Sequence, residues 1–215
     1  MPRCRFAKRQ PTGVALRREP FRLFFPLAIL TSIVGVSLWP LVYAGWLSYY
    51  PGEAHARLMI QGFVGGFALG FLGTAFPKMI GSPSLTWPEL GALLVSYSAC
   101  VIAHAFANIA AGDGCFLFTW IFMVSCLAIR VAFLRNDLPP PGFVLAGMGL
   151  VSGIVGTTML LIGRIVVPSE FQRTLGHLLL YEGFILGPII GIGSFLFPRF
   201  LLPNPFTEER PTWNR

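Results

Sequence analysis

The sequence predicts an all-α fold: a polytopic membrane helical bundle of six transmembrane helices, with helix pair one and two repeated as five and six and both termini cytoplasmic. Three observations carry the prediction. Hydrophobic residues make up 54% of the 215 residues and charged residues only 12%, so a soluble globule of this length would lack polar surface. Six apolar runs each reach the ~20 residues that cross a roughly 30 Å hydrocarbon core at a 1.5 Å rise. A shift of 121 positions, without a gap, lays Gln61-Gly62-Phe63 on Glu182-Gly183-Phe184, Gly66 on Gly187, Gly70 on Gly191 and Phe76-Pro77-Lys78 on Phe197-Pro198-Arg199. One helix earlier, Ile33-Val34-Gly35 falls on Ile154-Val155-Gly156. A fixed offset holding across two helices implies a duplicated helix pair.

Residues 1–22 form a basic arm carrying Arg3, Arg5, Lys8, Arg9, Arg17, Arg18 and Arg22, expected to stay on the cytoplasmic side. Its bland use is topogenic, and contact with anionic lipid or a partner is the sharper one. The stretch Met1 to Glu19 is too polar for a secretory signal. Residues 23–202 form the transmembrane bundle and 203–215 a cytoplasmic tail.

Helix one is expected from Phe24 to Trp46, and Trp39, Tyr43, Trp46, Tyr49 and Tyr50 gather at its far end as an interfacial belt. Helix two returns from Arg57 to Pro77. Helix three spans Leu90 to Ala110 and helix four Cys115 to Leu134, joined by a polar turn at Gly112-Asp113-Gly114. After the break Pro139-Pro140-Pro141-Gly142, helix five runs from Phe143 to Val166 and helix six from Thr174 to Leu202, with Pro188 a candidate kink. This arrangement puts thirteen Lys and Arg inside against Arg57, Arg164 and Arg173 outside, which sets the orientation.

The formal net charge of +7 is absorbed by that asymmetry. Basic residues are not interleaved with stacking aromatics, so nucleic acid is excluded as a partner. Cys4, Cys100, Cys115 and Cys126 show no Cys-x-x-Cys spacing and read as small buried thiols rather than a disulfide framework. Gly62, Gly66, Gly70 and Gly73 line one face of helix two, as Gly183, Gly187 and Gly191 line helix six. Such faces let backbones approach neighbours or each other, which is favoured over room for a flat cofactor.

Chemistry centres on the three histidines, His55, His104 and His177. The topology puts His55 at the outer end of helix two, His177 one turn into helix six and His104 two turns short of the outer end of helix three. Imidazoles at similar depth on different helices suit haem iron or copper, and Arg57, Arg164 and Arg173 lie where haem propionates would seek guanidinium partners. The bland reading is that interfacial histidines bond backbone or water and arginines mark helix ends. Cys100 with His104, and His55 with Met59, are four apart and share helical faces, which would suit copper, although such spacings are common by accident. Glu182 is the acidic residue expected well inside a span, a proton-handling or ligand-orienting candidate or a structural hydrogen bond.

The stretch His55-Ala56-Arg57-Leu58-Met59-Ile60-Gln61-Gly62-Phe63, followed by Gly70-Phe71-Leu72-Gly73-Thr74-Ala75-Phe76-Pro77 and Gly81-Ser82-Pro83, resembles the NnrS family of bacterial membrane proteins. Glu19-Pro20-Phe21-Arg22 resembles the family's start. The resemblance implies a bacterial inner-membrane protein with haem or copper and a role in the response to nitric oxide. It carries over His55 alone, because Arg57 and Leu58 stand where the family has its second histidine and its glutamate. Members of the family are usually about double this length.

Combining residues and resemblance, haem b is expected near the outer face with His55 and His177 as axial pair and Arg57 and Arg173 as propionate partners. His104 with Cys100 is the expected second metal site, for copper. The competing class is a cofactor-free structural or accessory subunit of a larger membrane complex. A transporter would use Glu182, but the spans show no cluster of polar residues at mid-depth.

Overall fold

The computed structural model describes residues 12–201, in which every regular element is helical. Arg3, Cys4, Arg5, Lys8 and Arg9 of the basic arm, Leu202 at the end of helix six and the tail 203–215 lie outside the described residues. A short helix, Thr12–Arg18, precedes six helices long and apolar enough to cross a membrane. They are α1 (Phe21–Tyr43), α2 (Gly52–Met79), α3 (Trp87–Ala105), α4 (Ile109–Leu134), α5 (Phe143–Ile162) and α6 (Glu170–Pro198). The connections 44–51, 106–108 and 163–169 gather at one end, called the tyrosine-rich end because Tyr43, Trp46 and Tyr50 stand exposed there.

Local capping chemistry moves three boundaries from where hydropathy places them. Thr86 accepts from the Glu89 backbone N–H while the Glu89 carboxylate accepts from the Thr86 backbone N–H, a reciprocal cap that starts α3 at Trp87. Ser169 and Gln172 do the same for α6, which begins at Glu170 rather than Thr174. The largest correction concerns Gly112-Asp113-Gly114, which is no turn. The chain reverses at Ala107, whose φ is +56°, and the Asn108 side chain accepts from the Ala111 N–H to cap α4. Ile109, Gly112, Asp113 and Phe116 then share the inward face of the new first turns, so Asp113 is carried into the bundle. By the same shift, His104 lies in the last turn of α3 instead of two turns before its end.

The duplicated helix pair is visible in the packing. A π-helical turn interrupts α2 at Leu58–Val64 and α6 at Leu179–Gly183, so the two begin 121 residues apart. Close approaches recur at the same offset. A Cβ on Gly66 would lie 2.8 Å from Ala28 Cβ, and one on Gly187 2.5 Å from Gly149 Cα. A Cβ on Gly35 would lie 3.2 Å from Leu58 Cβ, and one on Gly156 3.0 Å from Leu179 Cβ. Gly62 abuts Thr31 as Gly183 abuts Ser152. The glycine face of α2 therefore closes on α1 and that of α6 on α5, so helices two and six do not pack on each other through these faces. Gly149 also makes room for the ring of Pro188.

Between the repeats stand α3 and α4. Phe184 of α6 meets Phe116 and Trp120 of α4 at centroid distances of 5.4 and 5.1 Å, and all three are buried. Tyr97 of α3 donates to the Gly62 carbonyl at 3.0 Å, its hydroxyl lying in the space that Gly66 leaves. At the opposite end Arg130, one of the thirteen cations assigned to the inside, is 3% exposed: it donates to Glu89 at 2.6 Å and to the Pro83 carbonyl at 3.1 Å, pinning the connection 80–86. Outside the spans, Glu19 lies between Arg22 at 2.5 Å and Lys78 at 3.8 Å, and the hydrogen bond from Arg22 holds its carboxyl below the usual range.

Candidate functional site

Near the tyrosine-rich end, four spans contribute to one hydrogen-bonded network built around a guanidinium. Arg57 of α2, 1% exposed, donates through Nε to Asp113 Oδ1 at 2.8 Å and through Nη2 to Oδ2 at 3.3 Å. Its Nη1 donates to the Tyr181 hydroxyl of α6 at 2.7 Å. Gln61, one helical turn along α2, donates from Nε2 to Asp113 Oδ1 at 2.7 Å. Asp113 can only accept, so the amide oxygen of Gln61 is left to face α3, where His104 Nε2 donates to it at 2.7 Å. That fixes the His104 proton on Nε2. His104 Nδ1 is buried without a partner among the described residues, and the ring rests against Gly112, where a Cβ would lie at most 2.5 Å from three of its atoms.

A charged pair placed this deep is tolerated only when its geometry and remaining hydrogen bonds are good, and here both oxygens of Asp113 and three nitrogens of Arg57 are used. The π-helical turn at Leu58–Val64 begins directly after Arg57 and contains Gln61, and both side chains are turned inward. Outward from Arg57 opens a cavity of about 170 Å³ lined by Glu53, Arg57, Arg164, Arg173 and His177 with Met159 and Leu160. Arg164 pairs with Glu53 across its mouth. Glu53 also approaches Arg57 at 3.9 Å.

The expected site residues are thus divided. His177, Arg57 and Arg173 share that cavity. His55 does not line it: its Nδ1 donates to the Gly35 carbonyl at 2.9 Å and its ring packs on Trp39 of α1, 6.0 Å between centroids. His104 and Cys100 face the same Gln61 oxygen, at 2.7 and 3.8 Å, which places an amide between them. No group of three or more His, Cys, Asp or Glu able to hold a metal occurs among the described residues. Glu182, expected within the bundle, is exposed on α6. Asp113 and Tyr181 were not anticipated. The signal for Asp113 was its i, i+4 spacing from Ile109 after an Asn cap, and for Tyr181 its place three residues after Leu178, itself the repeat mate of Arg57.

A haem held between His55 and His177 does not fit these residues as they stand. The imidazoles face different helices, and 170 Å³ is below the roughly 300–1,000 Å³ of pockets that enclose a drug-sized ligand. The glycine faces offer no slot either, being filled by α1 and α5.

Fold and site together define a six-span helical membrane protein with a buried ion-pair network near one end of the bundle. A family model described as NnrS protein matches residues 15–201, most of the chain. The chain belongs to the NnrS family. No curated protein and no solved structure matches it.

Proposed function

We propose that this NnrS-family chain serves as a membrane-embedded accessory subunit of a larger complex, works without a cofactor of its own, and sits in a bacterial inner membrane with both termini in the cytoplasm. One observation carries the reading. At the position where the family resemblance calls for a second histidine, Arg57 occupies the junction of α2, α4 and α6 and spends its donors on Asp113 and Tyr181. A group so committed holds helices together and has little left for a metal or a substrate. The thirteen-to-three distribution of Lys and Arg supports the orientation, which puts the Arg57 network toward the periplasm.

A second reading, haem b or copper with a redox or nitric-oxide-related role, keeps one observation in its favour. His177, Arg57 and Arg173 line one cavity, as a ligand with flanking carboxylates would need. It would require α5 and α6 to draw back from α2 to make room. The test is the purified protein from cells grown with ample haem: a visible spectrum in oxidised and reduced states, with iron and copper assays. A colourless, metal-free preparation supports the accessory subunit. A Soret band that weakens in His177→Ala supports the second reading and ends the first.

A further inference from the structure

The two repeats differ in what covers the outer side of their second helix. On α2, Arg57, Gln61, Leu69 and Phe76 are buried, and Gln61 meets His104 of α3 and Asp113 of α4. Their counterparts 121 residues on, Leu178, Glu182, Ile190 and Phe197, are all exposed on α6. Leu186, the mate of buried Gly65, is exposed as well. The stripe runs down α6 in four-residue steps from Leu178 to Ile190, reappears at Phe197, and faces away from α5, whose contacts with α6 run through Gly187, Gly183 and Gly191.

Glu182 gives this stripe its chemistry. It lies near the middle of α6, and it is the one charged side chain among the described residues that is exposed away from the ends of a span. It makes no hydrogen bond or ion pair among the described residues. A carboxyl facing hydrocarbon at that depth is expensive, and such groups pair with a donor or line a polar path. No path opens beside it: its neighbours along the face, Leu178, Leu186 and Ile189, are apolar. A second copy of the chain is the poorer match: its exposed mid-span surface is largely apolar, with Val95, Phe118, Ile121 and Val151, its exposed Ser125 hydroxyl already donates to the Ile121 carbonyl, and its own Glu182 brings a like carboxyl rather than a basic or amide donor.

We propose that the α6 face formed by Leu178, Glu182, Leu186 and Ile190 docks a partner membrane chain that presents a hydrogen-bond donor, cationic or amide, to the Glu182 carboxyl, as His104 does for Gln61. This rests on the accessory-subunit reading and names the surface it would use. Apolar contact alone gives little association within lipid, since lipid tails are as apolar as leucine, so the polar pair supplies the specificity.

The test is photo-crosslinking of the full chain in its native membranes, with a benzophenone amino acid at Leu186 or Ile190 and, as control, at Val95. The expected result is an adduct to one other membrane polypeptide from Leu186 and Ile190 but not from Val95. It should be lost in Glu182→Leu and retained in Glu182→Gln, and the crosslinked peptide should carry Lys, Arg, His, Asn or Gln within a turn of the crosslink. Adducts to lipid alone, an adduct of twice the chain's mass, or one indifferent to Glu182→Leu overturns the docking face. Those outcomes leave the colourless, metal-free preparation untouched, whereas a haem spectrum ends the accessory reading whatever the crosslinks show.

Discussion

Arg57 and Asp113, separated by 56 residues of chain, form a two-point ion pair in which both side chains are at most 1% exposed. The pair joins α2 to α4 at the depth where Tyr181 adds α6. Breaking one side of such a pair strands the other charge, whereas removing both leaves only packing to repair. Asp113→Leu should therefore cost about 3–5 kcal/mol, and Arg57→Leu combined with Asp113→Leu should recover most of it. Thermal unfolding of the detergent-solubilised variants measures this. A double variant as unstable as the single would show that shape, rather than charge pairing, holds the junction.

His104 depends on a glycine. Because its ring rests on Gly112, Gly112→Ala must push the imidazole off the Gln61 oxygen. The expected loss is about 1–3 kcal/mol, typical of forcing an extra carbon into a packed site. Adding His104→Ala should restore part of that loss by vacating the ring's space, so the pair should be non-additive in the same unfolding assay. Additive losses would place the strain elsewhere.

The six spans, their repeat and the gathering of aromatics at one end were legible from hydropathy and offset alone, since burying 20 apolar residues in lipid overrides local preference. The site was less so. Gly112-Asp113-Gly114 has the composition of a turn, and composition cannot show that Asn108 caps the helix four residues earlier. With Asp113 in a loop, Arg57 had no counterion, and its burial could not be foreseen. Glu182 failed in the opposite sense: depth within a span was read correctly, but facing direction is set by which side of α6 packs on α5, and only the glycine contacts decide that.

The glycine contacts can be weighed against one another. A methyl on Gly187 would meet the Gly149 backbone at 2.5 Å, and backbone cannot rotate aside. Gly91 of α3 has nothing within 4 Å of the same position. Gly187→Ala should destabilise by about 1–3 kcal/mol through separation of α5 and α6. Gly91→Ala should be neutral or gain up to about 1 kcal/mol from helix propensity. The repeat mate of Gly187 supplies an internal control: Gly66→Ala, against Ala28 and Tyr97, should resemble Gly187→Ala if the two helix pairs are packed alike.

Orientation decides which compartment the Arg57 network faces, and two exposed positions report it. Tyr50, 80% exposed, lies in the connection between α1 and α2 at the tyrosine-rich end, and Asp137 is exposed in the connection after α4 at the other. In a chain with its native cysteines replaced, Tyr50→Cys should react with a membrane-impermeant maleimide applied to spheroplasts, and Asp137→Cys only after the membrane is opened. The physical ground is the clustering of Lys and Arg toward the Asp137 end, where retention on the cytoplasmic side is favoured. The burial of Arg130 weakens that ground by one charge, because a cation already paired with Glu89 in the folded bundle is part of its packing. Labelling of Asp137→Cys alone from outside would turn the bundle over and place the Arg57 network, with the cavity beyond it, toward the cytoplasm.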